Sequence, residues 1–113
     1  MKDFKIKFNS SEFGAFKLIM VEITSENIFK AYPIEYLVMR DFFERNAFKF
    51  LLSNDDKYTL KLRYVEVYAL LRLLQITTFD SLSYEYHITL EIIEKISLFI
   101  TNNTVQTTKL MLI

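Results

Sequence analysis

Cysteine is absent from this 113-residue sequence, and glycine, proline and histidine each occur once. Without thiols there is no disulfide, no thiol nucleophile, no iron–sulfur ligation and no cysteine-based zinc site. The single histidine, His87, rules out a histidine-rich metal centre, and the single glycine, Gly14, rules out a glycine-rich phosphate loop. Net charge is missing as well, because 14 Lys and Arg balance 14 Asp and Glu. A strongly basic nucleic-acid binder and an acidic disordered tail are thereby disfavoured. No run reaches the ~18–20 uninterrupted apolar residues of a membrane span. The most apolar stretch, residues 67–74, is broken by Arg72. Near the start, Lys2, Asp3, Lys5 and Lys7 recur with a period near two, which the apolar centre of a signal peptide does not show. The expectation is a cytoplasmic protein without membrane association.

What is present is apolar and aromatic side chain. Apolar residues make up 51% of the chain and aromatics 16%, with 11 Phe and 7 Tyr. A chain of this length buries ~60–70% of the surface it exposes when unfolded, enough for a core without staples. Residues 1–113 are expected to form one domain.

Laid over itself at an offset of 54, the chain aligns without a gap, residues 4–46 against residues 58–100. Lys7/Lys61, Glu12/Glu66, Ala15/Ala69, Thr24/Thr78, Tyr32/Tyr86 and Ile34/Ile88 are identical pairs. Apolar positions match where identity fails, as in Ile6/Leu60, Phe8/Leu62, Phe13/Val67, Phe16/Leu70, Met20/Leu74, Val38/Ile92 and Phe42/Ile96. An internal repeat is the expectation.

Each unit opens on a period of two. Phe4, Ile6 and Phe8 alternate with Lys5 and Lys7, and Tyr58, Leu60 and Leu62 alternate with Thr59, Lys61 and Arg63. A helical period follows. Ser10 or Ser11 can cap the first helix, Glu12 suits its positive end, and Phe13, Phe16, Met20 and Ile23 mark its buried stripe. Val67, Leu70, Leu71 and Leu74 do the same in the second unit. A second helix begins near Pro33, with Ile34, Leu37, Val38 and Phe42 inward; its counterpart begins near His87, with Ile88, Ile92 and Ile96 inward. Residues 53–56 read as a turn and residues 109–113 as a third strand. The order β-α-α-β-α-α-β predicts an α+β fold. Two tandem βαα units plus a C-terminal strand would build a three-stranded antiparallel sheet with helical hairpins on one face. Phe16, Met20, Val38, Phe42, Leu70, Leu74, Ile92 and Ile96 are its expected core.

Few residues offer chemistry. His87 is the one group whose ordinary pKa lies near neutrality, and it also reads as a helix-start residue standing where the first unit has Pro33. Glu12 and Glu66 could meet as a carboxylate pair, or each could serve its own first helical turn. Lys5, Lys7, Lys61, Arg63 and Lys109 share the outward parity of the three expected strands. Five basic groups on one face could meet phosphates or an acidic partner, or simply guard a small sheet against edge pairing. No outward position is aromatic, unlike the sheets that stack RNA bases. Met111 and Ile113 share the same parity, so the last strand would be apolar on both faces and need cover from a second copy or a partner.

The sequence favours a non-catalytic protein-interaction module without cofactor or metal, self-associating as a homodimer through Met111 and Ile113. The alternative is nucleic-acid or acidic-partner binding through the basic face.

Overall fold

Alternation of large apolar with charged side chains produces the strands. The computed structural model describes residues 3–51 and 57–111. In it β1 (Phe4–Asn9) and β2 (Lys57–Leu62) pair antiparallel, with Phe4 opposite Leu62, Ile6 opposite Leu60 and Phe8 opposite Tyr58. Those six side chains are buried and the charged ones between them are exposed, as a pleat requires. Two strands cannot bury a face by themselves, so helices cover it. They are α1 (Ser10–Ile23), α2 (Glu26–Ala31), α3 (Pro33–Arg45), α4 (Ala47–Leu51), α5 (Tyr64–Ile76) and α6 (Tyr84–Met111). The main helix contacts are α3 on α5 and α1 on α6.

The three-stranded sheet of tandem βαα units is not formed. The described sheet has two strands, and the chain is mostly helical. Residues 109–111, Lys109 among them, continue α6, while residues 112 and 113 lie outside the described residues. A short apolar run satisfies strand and helix periods alike, so its length and its neighbours decide. The only glycine and proline are Gly14 and Pro33, so neither helix breaker occurs between residues 84 and 111 to end α6 early. The two halves also differ in build: β1 is followed by four helices and β2 by two.

Capping sets the start of α1. Asn9, not Ser10 or Ser11, is its N-cap: Asn9 Oδ1 accepts from the Glu12 amide at 2.8 Å, and Glu12 Oε1 accepts from the Asn9 amide at 2.8 Å. Pro33 occupies the opening of α3, where its missing N–H costs nothing. At α6, the Ser83 hydroxyl accepts from the Tyr86 amide at 3.2 Å, so the helix starts before His87.

The core is one cluster centred on rings. Phe13 stacks on Tyr58 at 4.0 Å between centroids, Phe8 on Phe16 at 4.9 Å, and Phe50 of α4 lies 5.3 Å from Phe13 and 5.0 Å from Phe43. Phe16, Met20, Phe42, Leu70, Leu74, Ile92 and Ile96 are buried. Val38 is only half-buried, and Ile34 and Leu37, read as inward, stand 72% and 57% exposed. In α3 the buried pair is Met39 and Phe42. The helix has turned roughly a quarter of a revolution from the expected stripe, given about 100° per residue. Phe42 belongs to both stripes, and its ring lies 6.3 Å from that of Phe50.

Candidate polyanion-binding sheet face

The pleat that buries the apolar side chains puts the other parity of both strands in water. Lys5 and Lys7 of β1 and Lys61 of β2 share this exposed face, with Lys5 directly opposite Lys61 and Lys7 opposite Thr59. Arg63 follows one residue past β2 as the N-cap position of α5 and is also exposed. These four residues are brought together. Lys109 is not among them, because it belongs to α6 and to no strand.

Two further lysines join the group. Lys57 opens β2 with the same parity, opposite Asn9, and is exposed. Lys49 of α4 reaches the edge of β2, where its Nζ donates to the Thr59 carbonyl at 2.8 Å. Lys57 was legible in principle, since the period of two extends one residue earlier than the first apolar position. Lys49 was not, because its approach depends on how α4 packs.

Like charges set directly across a strand pair repel, and a stability-driven sequence would alternate signs there. Among the described residues, the ion pairs are Lys30–Glu26, Arg40–Glu44, Arg45–Asp41 and Arg45–Glu66, so none neutralises this face. At the Asn9–Lys57 end the face runs into a shallow hollow of about 400 Å³, lined by Lys7, Asn9, Glu12, Lys57, Tyr58 and Thr59.

The other candidates are placed apart. Glu12 sits at the Asn9 end of the sheet and Glu66 at the Leu62 end. An antiparallel pair of six-residue strands keeps those ends roughly 17–20 Å apart, so the two carboxylates do not meet. Each serves its own helix start: Glu66 Oε1 accepts from the Arg63 amide at 2.7 Å, and its other oxygen pairs with Arg45. His87 is exposed in the first turn of α6, its ring 5.8 Å edge-on from Tyr86. Residues 109–111 are helical up to Met111, so the expected strand does not form over them, and Ile113 lies outside the described residues. Among the described residues no helix is long and apolar enough to cross a membrane. No protein-family model matches the chain, and neither does any curated protein or any solved structure.

Proposed function

We propose that this protein is a non-catalytic binding module whose exposed sheet face holds a phosphate backbone, without reading bases. The observation that carries this is the Lys5–Lys61 opposition, flanked by Lys7, Lys57 and Arg63. A fold of zero net charge that gathers five cations on one pleated face creates a local field for polyanions. A nucleic acid is favoured over an acidic protein because the outward positions, residues 5, 7, 57, 59, 61 and 63, include no apolar side chain. Protein interfaces centre on buried apolar and aromatic groups. The same lack of outward aromatics removes base stacking and leaves backbone contact.

A homodimer through Met111 and Ile113 would require an apolar C-terminal strand. With residues 109–111 helical, that support is gone.

Fluorescence anisotropy with labelled single- and double-stranded oligonucleotides tests the proposal. Five contacts predict a log–log salt slope of about −4.5 on duplex DNA. Lys5→Glu with Lys61→Glu should keep the circular dichroism spectrum and abolish binding. Wild-type protein that binds neither oligonucleotide at low salt, or whose affinity ignores salt, would remove the polyanion reading.

A further inference from the structure

A second surface carries the opposite charge. The C-terminal end of α1, the loop after α5 and the first turn of α6 enclose a hollow of about 320 Å³. It is lined by the apolar Leu18, Val21 and Phe79, by Ser83, and by the carboxylates of Glu22, Asp80 and Glu85. Leu18 and Val21 are 55% and 66% exposed, and Leu82, which precedes the lining residue Ser83 in sequence, is 90% exposed. No Lys, Arg or His among the described residues lines the hollow. Among the described residues none of the three carboxylates has an ion-pair partner, though Asp80 Oδ1 accepts from the Leu82 amide at 3.0 Å. Lys17, one residue before Leu18, is turned over the Phe13 ring at 5.5 Å.

The end of α1 adds to the negative field. Its last turn holds Glu22 and no basic residue, so a carboxylate stands at the negative pole of the helix dipole. Local stability gains nothing from that arrangement. The comparable hollow between α3 and α5 is different, since both an acidic residue, Glu35, and a basic one, Arg72, line it.

We infer that the α1–α6 hollow docks a basic amphipathic helix of a partner protein. Apolar side chains one turn apart enter between Leu18, Val21 and Phe79, and flanking Lys or Arg meet Glu22, Asp80 and Glu85. This is helix-in-groove recognition, with the carboxylates setting the sign of the partner. A second copy of this chain fits less well. Its basic sheet face presents no outward apolar side chain to meet Leu18, Val21 and Phe79, and a head-to-tail contact of that kind gives a ring or an open filament rather than a twofold dimer.

The probe is an 18-residue fluorescent peptide of Leu and Lys with Leu at helical spacing, beside a scrambled peptide of the same composition. Isotope-labelled protein reports the binding site by NMR. The ordered peptide should bind in the micromolar range and shift the amides of residues 18, 21, 79 and 83. Val21→Lys should abolish binding, and Glu22→Gln with Glu85→Gln should weaken it roughly tenfold, all with unchanged circular dichroism and unchanged oligonucleotide affinity. Equal binding of ordered and scrambled peptides, or a Val21→Lys protein that binds as wild type, would overturn the inference. So would concentration-dependent assembly in sedimentation that Val21→Lys dissolves, since a second copy would then be the occupant.

Discussion

Lys5 and Lys61 show most directly how one residue pair separates stability from use. Directly opposed like charges cost a few tenths of a kcal/mol, and an opposite-charge pair in their place gains a similar amount. Lys5→Glu alone should therefore raise the midpoint of chemical denaturation slightly, by about 0.5 kcal/mol, while weakening polyanion binding. A variant that gains stability and keeps full oligonucleotide affinity would show that the lysine serves neither purpose. Glu66 poses the reverse case. It is 2% exposed, accepts from the Arg63 amide and pairs with Arg45. Removing its partner leaves a buried carboxylate short of compensation. Arg45→Met should cost about 3 kcal/mol, whereas breaking the exposed pair with Lys30→Met should cost under about 1 kcal/mol. Urea melts of the two variants provide the comparison.

At the scale of elements, α1 and α4 carry the sharpest predictions. Gly14 lies inside α1 with ordinary negative φ, and a Cβ added there meets nothing within 4 Å. Gly14→Ala should stabilise the protein by about 0.5–1 kcal/mol, because alanine loses less backbone freedom in a helix. An unchanged thermal midpoint would mean that α1 is not helical through that turn. In α4, Phe50 joins the strand-side rings to α3, touching Phe13, Phe16, Phe42 and Phe43. Truncation to alanine removes the hub of that cluster and should cost about 3–5 kcal/mol. A Phe50→Ala protein that melts with wild type would take α4 out of the core. Neither α4 nor the turned face of α3 was legible beforehand. Five residues of AFKFL support no period, and in α3 both Ile34 and Met39 are apolar enough to face inward.

At the scale of the whole molecule, a net charge of zero conceals segregation. Cations collect on the outward pleat and carboxylates around the α1–α6 hollow, and each surface carries its own test. Periodicity made part of this readable. A strict period of two in residues 4–8 and 58–62 assigns one face of each strand to the core and the other to water, which places Lys5, Lys7 and Lys61 without further information. Helical spacing likewise marks Phe13, Phe16 and Met20, and Leu70 and Leu74, because a one-sided stripe in a long helix has one way to be buried. What the chain by itself determined is therefore local: two strands, the helices that follow them and the inward parity of each. The tertiary structure alone decided the sheet's width, the facing of α3, the reach of Lys49 to Thr59, and the meeting of Leu18 and Val21 with Phe79. Those depend on which apolar surfaces compete for the same core volume. Close packing settles that competition between segments far apart in sequence, and no local period records it.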